Sequence, residues 1–139
     1  MSTGDASGTP SNASGPVATA GESHVVILIA HGSRAEESNE NHRRLVADVA
    51  ARSGATVRAA FLELAEPSIG DAVEAAATNG ATSIRLIPHF LGPGRHTTRD
   101  IPAAIAEASQ RHPSVVITVS DHVGAHPALV DLVLDLLTT

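Results

Sequence analysis

A chain of 139 residues, 42% hydrophobic and 17% charged, is one domain's worth of polypeptide with enough apolar side chain to bury a core. Nine basic residues, all of them Arg, against fifteen acidic ones give a net charge of −6; that balance opposes phosphate-backbone binding, and the lack of Lys excludes Schiff-base chemistry and P-loop phosphate binding. With 0 Cys, disulfides, thiolate catalysis and Cys-ligated zinc or iron–sulfur sites are excluded as well, leaving 8 His and the carboxylates to hold any metal.

Residues Met1 to Glu22 are mostly Ser, Thr, Gly, Ala and Pro, with Asp5 and Glu22 their only charges. That is too little apolar surface to offset the entropy of ordering, so a disordered leader is expected over 1–22 and a single α/β domain over 23–139. The leader has neither the basic and apolar regions of a secretory signal nor the Arg of a transit peptide. No apolar run in the chain approaches bilayer length, so a cytoplasmic protein without membrane or nucleic-acid partners is expected.

From His24 onward, β-branched runs alternate with Ala-rich stretches of helical periodicity. Val25 to Ile29 is a continuous apolar run, the pattern of a strand covered on both faces; the helix after it has a stripe of His42, Leu45, Val46 and Val49. A second strand is expected over Thr56 to Leu62. Its helix opens at Ser68, with Asp71 completing a capping-box-like start, packs through Ile69, Ala72, Val73 and Ala76, and stops at Gly80. The third strand is expected over Ser83 to Phe90, and Thr97 with Asp100 are expected to cap a helix facing inward through Ile101, Ala104, Ile105 and Ala108 and ending before Pro113. A fourth strand over Val115 to Val119 leads to a last helix with Pro127 in its first turn and Leu129, Leu132, Val133, Leu136 and Leu137 on one side.

Strand–helix alternation with right-handed crossovers predicts a small doubly wound, four-stranded parallel sheet with helices on both faces. The order 2-1-3-4 follows from the continuously apolar first strand, which is central, and from Arg58, which marks the second as an edge. A core with 2 Phe and much Ala gains from a partner, so a homodimer is expected.

In open α/β sheets ligands bind beyond the carboxyl ends of the strands, where the strand order reverses. Here that point lies between strands one and three. His31-Gly32-Ser33-Arg34 follows the first strand, Gly92-Pro93-Gly94-Arg95-His96 follows the third, and Glu63 follows the second. Two imidazoles and a carboxylate thus converge from adjacent strands, in loops made permissive by Gly32, Gly92 and Gly94. Such a set can bind a divalent metal ion and move a proton. The plainer alternative is that His31 caps the next helix and that Glu63 serves a helix dipole, a role assigned in the first instance to Glu66. His89 points into the core or into the pocket, His42 packs inward, His24 and His112 end elements, and His122 and His126 border the rim. Arg34, Arg95 and Arg99 crowd the same two loops beside helix N-termini, which suits a polyanionic ligand; each can also pair with a surface carboxylate such as Glu36 or Asp100.

On these residues the sequence resembles the small class II chelatases that insert a metal into sirohydrochlorin. The resemblance runs from His24 to Leu137, through Ala30-His31-Gly32-Ser33-Arg34, Phe61-Leu62-Glu63-Leu64-Ala65-Glu66-Pro67-Ser68, Gly94-Arg95-His96 with Asp100-Ile101-Pro102, and Gly124-Ala125-His126-Pro127. It implies half of a bilobal fold working as a homodimer, with His31 and His96 handling the metal and Glu63 assisting as acid and base. Ser33, Arg34, His89, Arg95 and Arg99 are assigned to substrate binding, since the tetrapyrrole carries many carboxylates that Arg can bind by charge-assisted hydrogen bonds. His89 stands where relatives often have an apolar or aromatic residue, and is either a departure or a third ligand. The third motif looks most like the siroheme branch, which favours Fe2+, with cobalt or nickel insertion as the alternative; the metal is then a substrate and no tightly bound cofactor is expected. Outside the chelatase reading stand a non-catalytic metal or tetrapyrrole carrier and a histidine-phosphatase-like enzyme. The latter fits poorly, because Ala30 rather than Arg precedes His31.

Overall fold

The computed structural model describes Ser23 to Thr139 apart from Arg95, and describes His96 and Thr97 by backbone alone. The expected leader and the substrate-binding expectation for Arg95 lie outside the described residues. Strands β1 (His24–Ala30), β2 (Thr56–Phe61), β3 (Ser83–Pro88) and β4 (Val116–Val119) form a sheet in the order β2-β1-β3-β4, every pairing parallel. Helices α1 (Glu36–Ser53), α2 (Ile69–Thr78), α3 (Ile101–Arg111) and α4 (Ala128–Leu136) each follow a strand. The order is the expected one, with β1 central and the exposed Arg58 on edge strand β2. Leu62 and Phe90 fall beyond the ends of their strands, and Val115 precedes β4.

The two faces of β1 carry two cores, because alternate side chains of a strand point to opposite sides. Val25, Ile27 and Ile29 pack with Ile84 and Leu86 of β3 and with Val73 and Ile101 from α2 and α3. On the other face Leu28 meets Val57 of β2 and Val46 of α1. Ile27, Ile29 and Leu86 are fully buried, each burial stabilising by about 1.5–3 kcal/mol relative to exposure. Ser68 caps α2 as expected, its Oγ accepting the Asp71 amide at 3.1 Å.

Two expectations are corrected, and the last helix adds a feature that no expectation covered. The inward stripe of α1 is Asn39, His42 and Val46, whereas Leu45 and Val49 lie on its exposed flank; a buried amide, invisible to a hydrophobic pattern, takes the inner position. The Thr97 side chain lies outside the described residues, and Asp100 does not open α3 with a side-chain cap. A π-type turn over His96–Asp100 runs straight into it, Asp100 already has helical dihedrals and caps nothing, and the Thr98 amide bonds the Gly94 carbonyl at 3.0 Å. Finally, α4 buries none of its residues: Leu132, Val133, Leu136 and Leu137 are all half exposed or more. Among the described residues no helix is long and apolar enough to cross a membrane.

Candidate functional site

Main-chain hydrogen bonding between the β1 and β2 segments continues past the end of both strands. The Leu62 amide donates to the Ala30 carbonyl at 3.0 Å and the Glu63 amide to the His31 carbonyl at 3.1 Å. At Gly32 the chain then turns away with φ +96°, so close to its neighbour that a Cβ there would lie 1.7 Å from the Glu63 carbonyl oxygen. Only glycine allows both the dihedral and the approach. The outcome is a side-chain pair across the two loops, with His31 Nε2 and Glu63 Oε2 3.2 Å apart. Both side chains are about half exposed, 48% and 46%. Phe90, from beyond β3, sets its ring edge-on to His31 at 6.2 Å. Residues from beyond three adjacent strands therefore meet at the switch point, with Phe90 as the third member; the expected convergence of His96 lies outside the described side chains.

His31 does not cap the helix that follows. Ala35 occupies the cap position of α1, and the Ser33 hydroxyl accepts the Ala35 amide at 3.0 Å. Arg34 and Arg99 are exposed in the same pair of loops. Glu36, weighed as a partner for Arg34, instead takes Arg43 at 2.8 Å. His96 contributes its backbone to the first position of the π-type turn, and its side chain lies outside the described residues. Among those residues no three His, Asp or Glu side chains gather closely enough to hold a metal ion. Gly92 and Gly94 have open space around Cα and no left-handed φ, so their loop does not require them as the His31 loop requires Gly32.

His89 turns out to belong with His42. Its amide donates to the Ile29 carbonyl at 2.7 Å, and its ring stacks on the His42 ring at 5.8 Å and 26°. His42 is buried, with Phe61 edge-on at 5.3 Å, and its Nε2 bonds the Leu28 carbonyl at 2.9 Å while Nδ1 has no partner. It is thus packed as expected but only half satisfied. Burial pushes its pKa down; the Leu28 carbonyl opposes this, and nearby His89 and Arg43 add to it. The other His keep to the minor places foreseen for them. His24 bonds the Ser83 hydroxyl, His112 bonds Glu74 at 2.8 Å, and His126 accepts the Ala128 amide at 3.0 Å.

Two side chains that the sequence reading did not single out frame the pair. Asn39, 3% exposed, clasps the Ser33 backbone from both sides: its Oδ1 accepts the Ser33 amide at 3.0 Å and its Nδ2 donates to the Ser33 carbonyl at 2.8 Å. Nδ2 also donates to Glu36 at 3.1 Å. Arg43 donates through Nη1 to the other Glu36 oxygen and through Nη2 to the Glu66 carbonyl at 3.2 Å, with its guanidinium over the Phe61 ring at 5.1 Å. Asn39 first, and then Arg43, hold the Glu36 carboxyl below its usual pKa range. The signal for Asn39 is its helical spacing from His42 and Val46, which the polarity of Asn hides from a hydrophobic pattern.

A sequence profile of the CbiX family matches residues 25–139. Over 116 residues the chain is 36% identical to the chloroplastic sirohydrochlorin ferrochelatase of Arabidopsis thaliana, covering 83% of this chain and 52% of that protein. Among solved structures, a CbiX protein from Marinobacter aquaeolei aligns with a TM-score of 0.73 and 33% identity, over 83% of this chain and 94% of that one. The sirohydrochlorin chelatase SirB from Bacillus subtilis subspecies spizizenii, in complex with cobalt, aligns with a TM-score of 0.75 and 30% identity, over 83% of this chain and 50% of that one. The chain spans about half the length of the curated relatives it matches.

Proposed function

This chain belongs to the CbiX family, and from that premise we propose that it is a sirohydrochlorin metal chelatase, an enzyme inserting Fe2+ on the way to siroheme, with Co2+ or Ni2+ as the alternative metal. The observation that carries the reading is the half-exposed His31–Glu63 pair, 3.2 Å apart at the strand-order switch. Insertion exchanges two pyrrole protons for a divalent ion. It therefore needs a neutral nitrogen ligand to present the metal and a carboxylate to take up protons. An imidazole suits iron, cobalt and nickel alike, and Glu63, 3.2 Å from the His31 ring, would take up a proton from a pyrrole nitrogen brought to the same edge. A metal held by few ligands can also be released, which an enclosed four-ligand cage would prevent.

His96 is proposed as the second metal ligand. Ser33, Arg34, Arg95, Arg99 and His89 are proposed to bind the substrate's carboxylates and edge, supported by the exposure of Arg34 after β1 and of Arg99 in the π-type turn after β3. The working unit is proposed to be a homodimer. Val130, Leu132, Leu134, Leu136 and Leu137 of the last helical segment are all more than half exposed, with Asp131 and Asp135 as its only charges, and a broad apolar helix face is ordinarily covered. A second copy would supply what the other half supplies in a relative of twice the length.

The test is anaerobic incubation of sirohydrochlorin with Fe2+, Co2+ or Ni2+, followed by absorbance, for the wild type, His31→Ala and no protein. Acceleration by the wild type alone is expected, and the order of metals assigns the pathway. Binding of metal and tetrapyrrole without acceleration by any metal would replace the enzyme with a carrier.

A further inference from the structure

The His31–Glu63 contact is exposed on both sides, and an exposed pair of this kind contributes only about 0.2–1 kcal/mol. That is too little to hold two loops in register. The geometry must come from something buried, and on the ladder side it does, through the two main-chain bonds beyond β1 and β2. On the opposite side, among the described residues, α1 joins the loops. From the Ser33 backbone the connection passes to the Asn39 amide, then across the Glu36 carboxylate to Arg43, and from Arg43 to the Glu66 carbonyl. The far end is a closed loop, because the Phe61 amide bonds the Pro67 carbonyl at 2.9 Å and Phe61 bridges Ser68. A pull on Glu66 therefore moves the turn bearing Glu63 as one body.

We propose that Asn39 and Arg43 are positioning residues of the metal-insertion site, a hydrogen-bonded relay on α1 that sets the separation of His31 from Glu63. Neither touches the reacting atoms. Asn39 has no spare valence in this role: both Nδ2 protons and Oδ1 are used. In Asn39→Asp the shape is kept, but an oxygen replaces the donor and faces the Ser33 carbonyl and the Glu36 carboxylate. In Arg43→Met the stem over Phe61 is kept and the bonds donated to Glu36 and the Glu66 carbonyl are lost, together with the longer one to Glu40 at 3.5 Å.

The inference rests on the chelatase reading for its kinetic arm and is independent of it in its spectroscopic arm. Misplacing reacting groups by about 1 Å is worth on the order of 100-fold in rate. Asn39→Asp and Arg43→Met are each expected to lower kcat by about 10- to 100-fold, with KM for sirohydrochlorin changed less than about threefold. Combined with Glu63→Gln, each is expected to add little to the loss caused by Glu63→Gln alone, since all three disable the same pair. In the metal-free protein, the imidazole 15N signals of His31 should move in both variants in the direction they move in Glu63→Gln. Losses that multiply independently with Glu63→Gln, or His31 signals unchanged in folded Arg43→Met, would overturn the proposal. Absence of turnover in the wild type would remove the chelatase reading and leave the His31 signals to decide. If Asn39→Asp does not fold, Arg43→Met, whose substituted side chain is 35% exposed, carries the test.

Discussion

Replacing Gly32 by Ala tests whether the close approach of two loops creates the site. The new Cβ would lie 1.7 Å from the Glu63 carbonyl oxygen, and such contacts do not fall below 3.0 Å, so the loops must part by about 1.3 Å. A left-handed φ for Ala costs about 1–2 kcal/mol. The parting also breaks the Glu63–His31 main-chain bond and strains Leu62–Ala30, at about 1 kcal/mol each. The total of about 3–4 kcal/mol corresponds to a fall in Tm of about 10–15 °C for a domain of this size. Turnover should fall by about 100-fold, because His31 and Glu63 move beyond hydrogen-bond reach. Gly80→Ala is the control, for Gly80 also has a left-handed φ, +103°, but nothing within 4 Å of its Cβ position; it should lose only the dihedral part and keep its activity. Thermal melts and the anaerobic insertion assay read both variants. A Gly32→Ala protein that melts with Gly80→Ala and turns over like the wild type would refute the argument.

Burial lowers the His42 pKa below its ordinary 6.5, so the unfolded chain takes up a proton that the folded protein resists. Stability should be full above about pH 6.5 and fall as pH drops through 6.5 toward the folded value, no more steeply than about 1.4 kcal/mol per pH unit. Urea midpoints between pH 5 and 7.5 should show a shallower slope for His42→Gln, and identical slopes would contradict the assignment. Substituting Gln for Leu132 and Leu136, 54% and 63% exposed, should convert the dimer to monomer in sedimentation at micromolar concentration; a monomeric wild type would remove the dimer proposal.

The sheet order was legible because its determinants are local. Val25 to Ile29 has no polar interruption, and Arg58 needs an edge. The α2 start was legible for the same reason, since Ser68 and Asp71 are three residues apart and bond each other directly. The α1 face was not, because Asn39 is inside only by virtue of a clasp on Ser33, and Leu45 and Val49 are outside despite their hydrophobicity. The same division runs through the site. His31 and Glu63 could be placed from the ends of their strands alone. Arg43 could not, because its bond to Glu66 spans 23 positions of sequence and carries no spacing signature. Simple alternation leaves His89 between two directions, and what turns it toward α1 is the His42 ring, which no count along β3 contains.

The continuation of main-chain hydrogen bonding from β1 and β2 to Glu63 and His31 has a consequence for how this site can be observed. An amide locked into a parallel pairing exchanges with solvent deuterium only when that part of the sheet opens. The Glu63 amide, bonded to the His31 carbonyl at 3.1 Å just beyond the paired strands, is protected in the same way, yet the side chain of the same residue faces the solvent. Its exchange rate therefore gauges the integrity of the site with nothing bound, and separates a substitution that spoils the frame from one that spoils only the chemistry mounted on it.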